Sequence, residues 1–556
     1  MSDMKVRNIN ERYVEETYDE NGVLKTFKLN YPDNFNFAYD VVDDIATHTP
    51  ERMAMVWCNP QGEEHSFTFA DMKKYSDKTA NYFRSLGIEK GDMVMVVLKR
   101  HYEFWFVATA LHKLGAVLVP ATFMLTAHDA EYRLNAASIK AVVCTGQGEV
   151  AEEIEKAEPK CPTLQLKIIV NGNREGWLDY ASGMEAASEE FSRVPTNVLE
   201  PLLMYFSSGT SGYPKMVLHN HTYSLAHILT AKHWHTVDPD GIHFTIADTG
   251  WGKAVWGKFY GQWIMEGAVF TYDYDKFNAN EILTLIGKYK ITSLCCPPTM
   301  FRMLLSEDIE KYDLSSIKYT TTAGESLNKD VFYKWLSVTG MKIMEGFGQT
   351  ETTLAICNLR GTDPRPGSLG KPSPLYDVHL LDANGKECLP GVKGEICLGL
   401  KNGHQEGLLD CYYLDEEKTK AAMHDGFYHT GDTAIIDEEG YYWYVGRNDD
   451  IIKSSGYRIG PFEIEEVLLE HPAVADCAVT GVPDSVRGQI VKATIVLSKD
   501  YSASDELKAE IQEFVKHRTA PYKYPRMVSF VHSLPRTVNG KVRRVEIREK
   551  DLKSVI

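Results

Sequence analysis

Ten cysteines are present, yet no two of them form a CxxC pair, and Cys295 and Cys296 are adjacent. In a long chain this implies no disulfide framework and reads as free, mostly buried thiols of a reducing compartment. No apolar run approaches 18 residues, which excludes a membrane-spanning helix on hydropathy. The first residues, MSDMKVRNINERYVEETYDENG, lack the apolar core of a secretory signal. They carry too much acid for a mitochondrial leader, so a cytoplasmic protein is expected. Positive charge is in deficit, with 60 Lys and Arg against 77 Asp and Glu and a net charge of −17. That balance argues against non-specific binding of nucleic acid or anionic membrane but leaves room for a local basic pocket. Internal repeats are also missing, as is the common phosphate loop G-x-x-x-x-G-K-[ST]: Lys215 is followed by Met216.

What is present has the composition of an ordinary globular protein, 44% hydrophobic and 25% charged. Its 556 residues suffice for roughly three or four domain-sized units. The chain is organised around LLMYFSSGTSGYPKMV, residues 202–217. An apolar run reads as a buried strand and breaks into Ser207, Ser208, Gly209, Thr210, Ser211 and Gly212, with Pro214 and Lys215 at the exit. Small residues let backbone N–H groups approach a ligand, and the hydroxyls and the lysine offer donors to phosphate oxygens. A flexible Ser/Gly surface linker is the competing reading.

Before this loop, MVMVVL (93–98), AVLVPA (116–121), AVVCT (141–145) and KIIV (167–170) read as buried strands. Residues 101–115 read as a helix closed by Gly115. After it, 291–298, 317–325 and 341–352 each read as a strand running into a polar turn. Strands alternating with helices imply a mainly parallel α/β sheet, with ligands beyond the carboxyl ends of its strands. Between 365 and 445 short β-like pieces suggest a smaller antiparallel or barrel-like unit. Residues 446–460 read as a linker or hinge, and the last hundred residues as a compact α/β unit.

Several segments carry candidate chemistry. In GFGQTE (346–351) Phe347 offers a stacking face, Thr350 a phosphate contact, and Glu351 an oxygen ligand for magnesium; a turn with a core Phe is the alternative. Asp432 in YHTGD can accept ribose hydroxyls or merely form an Asx-type turn. Arg447 can add a second contact or be a solvated charge. His219 and His221 alternate but have no third partner at metal spacing. Lys253 is an odd cation between Trp251 and Trp256.

Taken in order, SSGTSGYPK, EGFGQTET, YHTGD, GRNDDIIKSSGYRIGPFEIE and PRTVNGK resemble the adenylate-forming (AMP-binding) superfamily of acyl-CoA synthetases, peptide-synthetase adenylation domains and luciferases. The resemblance spans almost the whole chain. It implies a large N-terminal domain, residues 1–448, of mainly parallel αβα sheets with a β-rich subdomain at about 360–448. A small mobile α+β domain, 449–556, would pivot near Asp449. It implies ATP, Mg2+ and coenzyme A, with an acid converted to acyl-adenylate and then to a thioester. The 207–215 loop, Ser207 to Gly212 with Lys215, would hold the β- and γ-phosphates. Gly324, Glu325, Phe347, Gly348 and Gln349 would line the nucleotide, with Thr350 on the α-phosphate and Glu351 on magnesium. Asp432 and Arg447 would hold the ribose, and Arg458 would meet phosphate. Lys541 would stabilise charge in the first step. Gly456 and Tyr457 would line the CoA tunnel, with Lys516 and Arg526 toward the CoA phosphates.

Met216, ADTGW (247–251) and EGFGQTE are similar to the medium-chain branch, where the acyl pocket would include Trp251, Gly252, Lys253 and Gly348. Gly348 stands where acetyl-CoA synthetases carry a tryptophan and is expected to open that pocket to a medium-chain, branched-chain or aromatic acid. Ser326, where Pro often follows Gly-Glu, and Lys253 depart from the family pattern. The partners implied are a small-molecule acid, ATP and CoA, in fatty acid metabolism, with a homo-oligomer left open. An aryl-CoA (benzoate-type) ligase, an adenylation enzyme loading a separate carrier protein, and a non-catalytic binding protein are the competing functions.

Overall fold

The computed structural model describes residues 6–207, 214–325, 327–448, 450, 452–454, 457–484, 487–519, 522–536 and 542–555, the side chains of 453, 457, 458 and 552–555 aside. The expected Ser208 to Gly212, Ser326, Asp449, Gly456 and Lys541 lie outside the described residues, as do the side chains of Tyr457 and Arg458. Two compact units are formed. One comprises Met1–Pro366, Gly370–Asp377 and Leu400–Gly426; the other comprises Gly367–Leu369, Val378–Gly399 and Phe427–Ile556.

The first unit contains two large sheets. One runs in the order Cys411–Tyr412, Lys215–Asn220, Pro201–Ser207, Val117–Pro120, Met93–Val97, Ala141–Thr145, Leu166–Val170, Leu178–Asp179. From Pro201–Ser207 onward it is parallel. The second has a parallel centre of Ile343–Phe347, Tyr319–Ala323, Ser293–Cys295, Ile242–Thr245, Ala268–Tyr272 and Met53–Cys58, with short antiparallel strands at both edges. Strands such as Met93–Val97 and Ala141–Thr145 are buried at every position, as a parallel sheet covered on both faces requires. Connecting helices stop where the sequence says they should: Glu103–Leu114 ends at Gly115, whose φ of 71° a side chain would strain. Helix Phe69–Ser85 begins at a reciprocal cap between Thr68 and Asp71. The mainly parallel α/β architecture expected from sequence is the one found.

The second unit begins with an antiparallel sheet, Val378–Leu381, Lys393–Gly399, Phe427–Ile436 and Tyr442–Arg447. Its remainder wraps helices Pro461–Leu469 and Asp505–Arg518 on a sheet of Tyr457–Ile459, Ile452–Ser454, Gly488–Leu497, Val474–Asp484 and Met527–Val531. Ile464, Leu468, Val479, Ile495, Ile511 and Val515 form its core. The 446–460 segment, expected as linker, instead contains two paired strands. Ile452 and Ile459 pair across them and are buried, so two apolar residues in a mostly polar stretch anchor the pairing.

One buried ion group ties the first helices together. Lys113 Nζ, fully buried, donates to Asp43 Oδ1 at 2.7 Å and Asp77 Oδ1 at 2.6 Å. Replacing the cation leaves the two carboxylates to share Lys73, which pairs with Asp77 from the other side. Lys113→Met is expected to cost about 3–5 kcal/mol in chemical denaturation; a change below about 1 kcal/mol would show the group to be electrostatically idle.

Candidate functional site

The expected phosphate loop is flanked in sequence by two strands that pair antiparallel. Strand Pro201–Ser207 leads in, and Lys215–Asn220 returns beside it with Ser207 opposite Lys215. The returning strand is the part that sequence reading missed, because a strand after a Gly-rich loop looks like any apolar run. It carries Lys215 and His219 on its length. Lys215 Nζ donates to the hydroxyl of Tyr412 at 3.5 Å and lies 4.8 Å from that ring's centre. Tyr412 in turn donates to Glu351 Oε1 at 3.0 Å. A phenol thus bridges the expected phosphate lysine and the expected magnesium ligand. Nothing in the sequence around Tyr412 points to this.

His219 is buried, and its Nε2–H donates to the carbonyl of Thr350 at 2.8 Å. Burial pushes its pKa down to about 4, so at neutral pH the ring is uncharged. That bond fixes the backbone between Thr350 and Glu351, and it places His219 in a structural duty rather than at a metal. Glu351 is only 7% exposed. Its carboxylate, beside the Thr350 hydroxyl in sequence, is the hard-oxygen donor type that suits Mg2+.

Gly324 and Glu325 follow strand Tyr319–Ala323, and Phe347 ends strand Ile343–Phe347 in the neighbouring position. The residues expected to line the adenine therefore come from adjacent parallel strand ends. Glu325 Oε2 accepts from Thr299 at 2.6 Å. Gln349 N–H is held by the Thr352 hydroxyl at 2.9 Å.

In the expected acyl pocket, Trp251 precedes helix Gly252–Lys258. Lys253 Nζ donates to the Ala323 carbonyl at 3.0 Å, which gives the odd cation a backbone partner at the strand end. At Gly348 the room is set by close neighbours. A Cβ there would lie 2.4 Å from the Trp256 ring and 2.4 Å from the Thr353 carbonyl. The space left by the missing side chain is filled by Trp256, whose indole N–H donates to the Tyr223 hydroxyl at 3.2 Å. Trp256, two positions before the end of helix Gly252–Lys258, thus occupies the space beside residue 348.

In the second unit, Asp432 and Arg447 face each other in register on neighbouring strands. Asp432 Oδ1 accepts from the Tyr444 hydroxyl at 2.8 Å, and Oδ2 lies 3.5 Å from Arg447 Nη1. Lys516 and Arg526 share Tyr524: their charged ends lie 5.8 Å and 4.8 Å from its ring centre. Lys516 also pairs with Glu513 at 2.6 Å.

The His219 bond makes a pH-dependent prediction. A depressed folded pKa means stability contributed above the unfolded value of about 6.5 is lost as pH falls toward about 4. The stability of wild type relative to His219→Gln is expected to fall by about 1.4 kcal/mol per pH unit across that window. Parallel urea titrations at several pH values measure it; a pH-independent difference would mean that the histidine protonates equally in both states.

Residues 42–413 match the AMP-binding enzyme family, and residues 463–541 match the AMP-binding enzyme C-terminal domain. The chain is 41% identical to the human acyl-coenzyme A synthetase ACSM3, mitochondrial, over 95% of this chain and 92% of that one. It is 40% identical to human ACSM5, mitochondrial, over 94% and 91%. Among solved structures, the anthranilate CoA ligase AuaEII in complex with anthranoyl-AMP is 27% identical with a TM-score of 0.86, covering 95% of this chain and 99% of that one. The expected cytoplasmic location is overturned by these relatives, which are named mitochondrial. The acidic first residues spoke only to one kind of leader, and a leader's composition does not follow from the fold's chemistry. With matches that run from the loop strands to the last hundred residues, the chain belongs to the AMP-binding enzymes, in their acyl-coenzyme A synthetase branch.

Proposed function

We propose that the protein joins a medium-chain or branched-chain carboxylic acid to coenzyme A in two steps. Acid and ATP give acyl-adenylate and pyrophosphate; the CoA thiol then takes the acyl group and releases AMP. The observation that carries this reading is the chain Lys215–Tyr412–Glu351, which joins the exit of the phosphate loop to a buried carboxylate. Magnesium, when bound, would neutralise phosphate charge, and Glu351 is the residue that would hold it. Lys215 and the Ser/Thr/Gly loop would grip the outer phosphates. Thr350, its backbone fixed by His219, would orient the α-phosphate. Asp432 and Arg447 would hold the ribose, with Arg458 toward phosphate. Lys541 would offset the charge that grows on the carboxylate and α-phosphate oxygens as the anhydride forms. Residues 1–448 and 449–556 would act as two domains hinged at Asp449. The second would exchange Lys541 for the Gly456–Tyr457 segment between steps, while Lys516 and Arg526 receive the CoA phosphates.

The acyl reading rests on the resemblance to the medium-chain branch and on Trp256. A ring held there by Tyr223 would limit the depth of the pocket, which would disfavour long straight chains. The 0.86 TM-score with an anthranilate CoA ligase favours an aromatic acid as the second reading.

CoA-dependent AMP formation over acetate, butyrate, 2-methylbutyrate, hexanoate, octanoate, benzoate and phenylacetate tests the proposal. A maximum at about four to eight carbons is expected, with acids one methylene apart differing by about 10- to 200-fold at most. Trp256→Ala is expected to move the maximum to longer acids. A maximum at acetate would sink the acyl reading, and one at benzoate would establish the aromatic one. Lys541→Ala is expected to lower acid-dependent ATP–pyrophosphate exchange at least about 100-fold. No exchange in wild type with any acid would remove the enzymatic reading altogether. AMP formation that needs a carrier protein and ignores CoA would replace the thiol acceptor.

A further inference from the structure

Outside the residues assigned to ATP, acid and CoA, the second unit brings together a thiol, an imidazole and a carboxylate. Strands Lys393–Gly399 and Phe427–Ile436 pair antiparallel, with Cys397 directly opposite His429. The register shifts between Glu395 and Cys397, a bulge that re-aims the glutamate. His429 Nδ1 lies 3.5 Å from Cys397 Sγ and 3.4 Å from Glu395 Oε2. The three ligand atoms all fall within 4.8 Å of one another. A single nitrogen cannot make two good hydrogen bonds along different directions, and 3.4 Å is long for an ion-paired one. The spacings fit a shared cation better. Tetrahedral zinc, with bonds of about 2.3 Å to sulfur, about 2.0 Å to nitrogen and about 2.1 Å to oxygen, sets sulfur and nitrogen about 3.5 Å apart and nitrogen and oxygen about 3.4 Å apart.

We propose that Glu395, Cys397 and His429 form a zinc site, with water in the fourth position. Cys397 is fully buried, while the side chains of Glu395 and His429 are 23% and 19% exposed, so an ion can enter from solvent. Thiolate and imidazole select zinc over magnesium, which separates this site from the ATP-linked metal. The site also has a mechanical consequence. Glu395 Oε1 accepts the Gly431 N–H at 2.8 Å, and Gly431 immediately precedes Asp432. Zinc would therefore brace the strand that carries Asp432, the residue proposed to hold the ribose.

Untagged full-length protein, stripped with a chelator and then titrated with zinc against a chromophoric competitor, tests this. One zinc per chain is expected, with Cys397→Ser and His429→Gln each weakening binding by at least about tenfold. Cobalt should give a thiolate charge-transfer band in the wild type and none in Cys397→Ser. Circular dichroism of the metal-free variants checks that they fold, and His429→Gln carries the test if Cys397→Ser does not. Equal zinc uptake by wild type and both variants, or no uptake at micromolar zinc, would show an ordinary His–Glu ion pair beside a thiol and overturn the proposal.

Discussion

A buried, neutral histidine holds the expected reaction centre together. His219 comes from the strand leaving the phosphate loop, and its partner, the Thr350 carbonyl, belongs to a turn more than a hundred residues later. A carbonyl buried there without a donor would cost about 1–3 kcal/mol, so the bond is both positional and energetic. The same ring stacks on Tyr223 with centres 3.9 Å apart, and Tyr223 accepts from Trp256. Trp256 in turn fills the space beside Gly348. One continuous set of contacts therefore runs from the backbone that carries Thr350 and Glu351 to the space beside Gly348.

That arrangement explains which parts were legible in the sequence. Strands buried on both faces announce themselves as short unbroken apolar runs, and the glycine that ends helix Glu103–Leu114 marks its own position. The Glu351 and Asp432 segments could be singled out because chemistry restricts their residue types, whereas most of the loop lies outside the described residues. Tyr412, His219 and Tyr444 were not legible, since each acts through a partner distant in sequence, and a lone aromatic or histidine on a strand looks like core. The hairpin at Ile452–Ile459 was hidden for a related reason. Pairing supplies the burial that its polar composition does not advertise.

Gly348 shows that the size of one residue does not by itself set the room around it. Removing a side chain from one position creates room only if no neighbour moves into it, and protein interiors are packed too densely to leave such room empty. Here the neighbour is an indole from helix Gly252–Lys258, fixed at its nitrogen by Tyr223. Pocket depth is then a property of the pair, and a substitution at either member is read by the other.

The second unit applies a similar logic to a carboxylate. Asp432 is 4% exposed, a costly place for a charge unless its surroundings hold it. The Tyr444 hydroxyl and the Arg447 guanidinium do so from the adjacent strand, one of them directly opposite in register. Because all three side chains grow from paired strands, their separation is set by the ladder rather than by loop conformation, which is the condition for a group that must meet two neighbouring hydroxyls at once. Arg447 also donates to the Thr430 carbonyl at 3.2 Å, so the guanidinium is anchored at the turn that begins the motif. Asp432 is thus held by its neighbours alone, and a sugar bound as proposed would not have to assemble the group that meets it.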